Sequence, residues 1–119
     1  MQNVSLGKLG ERIAANYLTS QGYKVIEMNF RKRWGEIDIV ALHKDTLVFV
    51  EVKTRMEFDR ITPEESITPK KVASLKNTAI FYKNSHPKLP ETLRIDFVGI
   101  VLGQNLKPKR INYVKNITQ

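Results

Sequence analysis

Apolar residues along the chain follow two rhythms in turn. Leu6, Leu9, Ile13, Tyr17 and Leu18 recur at three- and four-residue spacing, which gathers them on one face of a helix capped by Ser5 and stopped by Gly22. From Tyr23 to Phe30 the period becomes two: Lys24, Ile26, Met28 and Phe30 alternate with Tyr23, Val25 and Glu27, as in a strand. A basic turn follows, and Gly35 to Thr54 reads as two more strands joined by polar residues. Met56 to Ile67 contains Asp59, Pro63 and adjacent glutamates without a period, and reads as an exposed, mobile loop. Thr68 and Pro69 open a second helix with Val72, Leu75, Ala79 and Tyr82 on its apolar face, ending before Ser85, His86 and Pro87. Thr92 to Leu102 and Lys109 to Ile117 are closing strands around Gly103 to Pro108. The order αβββαββ, with no internal repeat, predicts an α/β fold in a single domain over residues 1–119: one mixed central sheet flanked by helices.

The stretch Gly35 to Thr54 breaks its own pattern. Leu47, Val48, Phe49, Val50 and Val52 make the third strand apolar on both faces, as befits an interior strand, yet Asp38, Glu51 and Lys53 interrupt the pair. With a two-residue Lys44, Asp45 turn, or a four-residue turn from His43 to Thr46, Asp38 lies opposite Glu51 and Glu36 opposite Lys53. Opposed residues have Cβ atoms about 5 Å apart, where two carboxylates repel by several kcal/mol at an effective dielectric of ~20. Lys53 offsets part of this. A hard divalent cation offsets more: Mg²⁺ or Mn²⁺ takes oxygen ligands, and the Val52 carbonyl would join Asp38 and Glu51 in holding it. Glu11, on the border of the buried stripe of helix one, can point toward the same place. A cation and a lysine beside a phosphodiester make hydrolysis the reaction class, with Lys53 orienting or deprotonating the attacking water. The competing reading is an ion-pair cluster on a wet sheet face.

Composition narrows the partner. The 119 residues carry a formal charge of +8, and a lysine and arginine surplus on a small domain attracts polyanions, nucleic acid first among them. Arg31, Lys32, Arg33 and Trp34 immediately precede the site strand, suited to holding phosphates and stacking on a base. Arg55, two residues after Lys53, and Lys70 and Lys71, which begin helix two, are further candidate phosphate contacts. No pattern for reading base edges stands out, so structure-selective or nonspecific binding is expected, with strong salt dependence. The chain has no cysteine and two histidines, His43 and His86, without a partner at ligand spacing, which argues against a thiolate or histidine metal site. No apolar run approaches the ~18 residues of a membrane span, and the N-terminus is helix-periodic instead of signal-like. A soluble, cytoplasmic protein with no membrane partner is expected.

Three blocks in order, GKLGERIAANYL, GEIDIVA and FVEVKTR, resemble the YraN family of small bacterial proteins, which is similar to archaeal Holliday junction resolvases within the restriction endonuclease-like, PD-(D/E)xK superfamily. The resemblance implies a restriction endonuclease-like fold, Asp38, Glu51 and Lys53 as the metal and catalytic core, and Glu11 as the extra glutamate of helix one. Ile37 stands where the motif's namesake proline would be. The resemblance also implies a metal-dependent endonuclease acting on DNA in preference to RNA, including branched DNA, with a homodimer presenting two sites to a junction. A catalytically silent nucleic-acid-binding module in DNA processing or repair is the alternative.

Overall fold

The structure, a computed structural model, describes residues 5–118; Met1 to Val4, the start of the helix-periodic N-terminal stretch, lie outside the described residues. Helix α1 spans Leu6–Ser20 and α2 spans Pro69–Ser85; strands β1 to β5 span Lys24–Lys32, Gly35–His43, Thr46–Met56, Thr92–Leu102 and Pro108–Val114. The expected order holds. The strands form one sheet in sequence order, β1-β2-β3-β4-β5, antiparallel throughout except that β3 and β4 run parallel. Helix α2 supplies the crossover that a parallel pair requires.

Local chemistry fixes the helix ends. Ser5 Oγ accepts from the Lys8 amide at 3.1 Å, and Thr68 Oγ1 accepts from the Lys71 amide at 3.1 Å. Each side chain satisfies an amide that the helix itself cannot.

Each helix covers one apolar face of the sheet. On the α1 side Ala14 and Leu18 pack with Ile39, Ala41, Val48, Val50 and Val52. On the α2 side Leu75, Ala79 and Tyr82 pack with Ile37, Val40, Leu47 and Phe49. Strand β3 is central and buried on both faces, as its unbroken apolar run predicts.

The 56–67 segment departs from expectation. Met56 completes β3 and Glu57 to Thr62 are exposed, but Pro63–Ser66 form a 3-10 turn with Pro63 buried. Glu64 anchors the turn by accepting from Arg110 at 3.1 Å and Asn112 at 2.7 Å. Sequence periodicity is blind to this contact, because the partners lie on β5, more than forty residues downstream.

Strand β1 also departs from simple alternation. Its register shifts between Val25 and Glu27, so the two-residue rhythm of Tyr23 to Phe30 does not carry through as written. One inserted residue swaps the faces of everything beyond it.

Candidate functional site

At one residue strand β2 parts from β3 and misses a single pair with β1. Its pairing with β3 runs from His43↔Thr46 to Ile39↔Val50, closed by the two-residue Lys44, Asp45 turn. Pairing with β1 skips from Met28↔Ile39 to Phe30↔Ile37, because Asn29 between them adopts a left-handed conformation with φ 56°. Asp38 sits at this fork. Its Oδ2 accepts from the Val52 amide at 2.8 Å, so the carboxylate takes the place of a backbone acceptor between the separating strands.

The fork brings the Asp38 and Glu51 carboxyls together, although the expected pairing holds only as far as Ile39↔Val50 and Asp38 bonds the Val52 amide instead of pairing opposite Glu51. Both are buried. Burial, then the charge of Glu51, push the Asp38 carboxyl up to about 7; a hydrogen bond to Glu51 and the charge of Glu36 add to the rise, and the Val52 amide opposes it. Glu11 joins from α1. Gly10 beside it lets the helix approach β3 so closely that a Cβ there would fall 1.7 Å from Thr54 Oγ1. The Glu11 carboxyl is raised by burial and then by Asp38, while Lys8, the Asn29 amide and Arg31 oppose the rise. Its Oε1 is buried without a hydrogen-bond partner, and the Lys8 ammonium is 3.8 Å away. Asp38 therefore faces Glu51 on one side and Glu11 on the other, with little positive charge beside it.

The positive charge that does arrive comes not from Lys53 but from one of the two lysines that open helix two. Lys53 shares a side of β3 with Glu51 by alternation, but no ion pair to either acid forms among the described residues. Lys71, in the first turn of α2, places its Nζ 3.2 Å from Glu51 Oε2. Glu36 also departs from expectation: beyond Ile39 the strands no longer pair, and it meets Arg31 of β1 at 3.4 Å instead of Lys53. The sequence signal for Lys71 was a cation at a helix N-terminus, where it opposes the helix dipole and needs a compensating acid.

The remaining candidate residues divide between two places. Lys32, Arg33, Gly35, Glu36, Lys71 and Ser74 line a polar cleft of about 240 Å³. Gly35 is required there, because a Cβ would lie 2.3 Å from Thr78 Oγ1 on α2. Lys32 Nζ lies over the Phe81 ring at 5.3 Å, and Trp34, 52% exposed, meets the same ring edge-on at 5.1 Å. Lys70 is exposed beside Lys71. Arg55 lies elsewhere: it is half-buried, its Nε has no hydrogen-bond partner, and its charge adds a minor part to the lowering of the Glu65 carboxyl, which hydrogen bonds from the Thr62 amide and hydroxyl mainly produce. His43 and His86 stack on Tyr23 and Tyr82.

Among the described residues no three Asp, Glu, His or Cys side chains form a ready-made metal cage. The Asp38 and Glu51 carboxylates offer only oxygen donors, the kind a small hard cation that keeps part of its water takes; the structure places the Val52 amide, not its carbonyl, on Asp38. Among those residues, too, no helix is long and apolar enough to cross a membrane.

Residues 10–100 match the family described as "Uncharacterised protein family UPF0102". A UPF0102 protein of Syntrophomonas wolfei subsp. wolfei is 42% identical over 114 residues, covering 96% of this chain and 97% of that protein. Relatives from Clostridium novyi, 36% identical, and Rhodococcus opacus, 38% identical, each cover 96% of this chain and 95% and 96% of their own lengths. Family model and full-length relatives agree, and the chain belongs to the UPF0102 (YraN) family.

Proposed function

We propose that the protein is a divalent-metal-dependent endonuclease that hydrolyses phosphodiester bonds in structured DNA. One observation carries this reading: Asp38 and Glu51 are buried side by side at the β2–β3 fork, with Asp38 pushed up to about 7. A fold does not keep such a pair without use, because the same volume filled with apolar side chains would be at least as stable. The superfamily resemblance of the three sequence blocks points the same way.

Asp38, Glu51 and the Val52 carbonyl would hold Mg²⁺ or Mn²⁺, which when bound supplies Lewis-acid polarisation of a phosphoryl oxygen. Lys53 extends from the same strand and orients the attacking water. Glu11 adds negative charge beside Asp38 and strengthens the preference for a cation there. Arg33, Lys32 and Lys71 line the approach and hold backbone phosphates, while Trp34 offers an exposed ring to an unpaired base. None of these groups is arranged to read base edges, so shape and charge select the substrate.

Cleavage of labelled duplex, flap and four-way-junction DNA with Mg²⁺ or Mn²⁺ is the test. Wild type should cut, and Asp38→Ala and Lys53→Ala should lose at least a hundredfold in rate; equal activity in all three would remove the assignment. The Lys71–Glu51 ion pair favours a second reading, a nucleic-acid-binding module whose site is silenced from within. That module would bind DNA in a salt-sensitive manner, keep binding as Glu51→Gln, and cut nothing with any divalent ion. Competition with RNA of matched shape separates a DNA enzyme from an RNA-directed one.

A further inference from the structure

The geometry points to Lys71 as a placeholder cation, which leaves Glu51 when a divalent ion arrives and turns into the adjoining cleft to hold a backbone phosphate with Arg33. The inference rests on the metal-dependent reading above and assigns Lys71 two alternative partners. Its ammonium lies 3.2 Å from Glu51, yet the side chain is 35% exposed while that of Glu51 is only 9% exposed. The lysine thus reaches inward from the surface and is not locked in place. It also lines the cleft formed with Lys32, Arg33, Gly35, Glu36 and Ser74, so moving between the partners needs only side-chain rotation.

Charge decides which partner it keeps. Among the described residues Lys71 is the lone cation paired with Glu51. A divalent ion shared by Asp38 and Glu51 would neutralise Glu51 better and repel the ammonium at short range. The cleft then offers a destination only if an anion is there. Lys32, Arg33 and Lys71 face a single carboxylate, Glu36, already 3.4 Å from Arg31. The cleft is therefore short of negative charge, and a phosphodiester oxygen supplies it. Ser74, also on the cleft wall, adds a hydroxyl donor. Ion and nucleic acid should consequently bind with positive coupling, each favouring the Lys71 position that suits the other.

The experiment measures Mn²⁺ binding by calorimetry, and DNA binding by anisotropy across a salt series with Ca²⁺ or a chelator. Wild type, Lys71→Met, Lys71→Gln and the neighbouring control Lys70→Met are compared, with folding checked by circular dichroism. Without DNA, both Lys71 variants should bind Mn²⁺ at least fivefold more tightly than wild type, because no ammonium has to be displaced. The slope of log affinity against log salt should fall by about one phosphate in the Lys71 variants with Ca²⁺ and stay unchanged without it. Lys70→Met should leave Mn²⁺ affinity unchanged and shift the slope equally in both conditions or not at all. Unchanged or weaker Mn²⁺ binding in the Lys71 variants, or an equal slope change with and without Ca²⁺, overturns the placeholder role alone. Absence of Mn²⁺ binding in every protein, wild type included, overturns the metal-dependent reading and this inference together.

Discussion

Two buried aspartates in this sheet receive opposite treatment. Asp96 on β4 is fully buried and saturated with donors: Arg94 meets it at 2.9 Å through both Nε and NH2, the Asn116 amide donates at 2.9 Å, and the Tyr113 hydroxyl makes a further short contact. Tyr23 extends the network by hydrogen-bonding Tyr113 and Arg94. Asp38 has one backbone donor and otherwise faces Glu51, Glu36 and Glu11. The first arrangement ties β4, β5 and the turn before β1 together. The second leaves a local deficit of positive charge where the sheet opens. A buried carboxylate whose acceptors are all met holds the fold, whereas one surrounded by its own kind is the feature on which the proposed cation site rests.

The largest expected effect lies at the saturated site. Asp96→Ala strips Arg94 of its buried partner and should cost about 3–5 kcal/mol in urea unfolding. A loss below about 1 kcal/mol would show that the network is decorative and end the contrast.

Next in size is the response to a cation. At a hundredfold excess over Kd, Mn²⁺ should stabilise the wild type by about 2.7 kcal/mol, read as a rise in Tm. Asp38→Asn should lose that response and Asp96→Asn, if folded, should keep it.

Third, Asp38→Asn should be more stable than wild type without metal, by roughly 1–3 kcal/mol at pH 8, because the amide no longer repels Glu51. The sign follows from the raised pKa. Between the ordinary value of 3.8 and about 7, the folded protein holds a proton that the unfolded chain has released, so wild-type stability falls as pH rises through that window. The advantage of Asp38→Asn should therefore be full above pH 7 and shrink toward pH 4. A constant gap across that range would contradict the placement of the two acids.

The smallest effect is at the surface. Arg31 and Glu36 pair at 3.4 Å with side chains 61% and 48% exposed, and Arg31→Gln should change stability by less than about 1 kcal/mol. Its signature should appear in DNA binding, as a salt slope reduced by about one phosphate. A larger stability loss would mean that this rim is structural.

Much of this was legible in local pattern. Spacing along the chain gave both helices, the strand order and the central place of β3, because periodicity reports directly which side chains share a face. Register arithmetic from the two-residue turn holds to Ile39↔Val50 and so placed Asp38 near Glu51, but the last step, where Asp38 turns to the Val52 amide, lay outside it. What failed did so for a common reason. The bulge in β1, the left-handed Asn29, the docking of Pro63 and the pairing of Lys71 with Glu51 all depend on a partner distant in sequence or on a single backbone torsion.

The amino-acid sequence thus determined which chemistry is present: carboxylates without thiolates, a cationic surplus, and acids set into strands that should be apolar. Only the tertiary structure decided how that chemistry is shared. Which cation reaches Glu51, and which aspartate is satisfied, depend on chain segments that meet after folding, because Coulomb and hydrogen-bond energies fall with distance through space and take no account of separation along the chain.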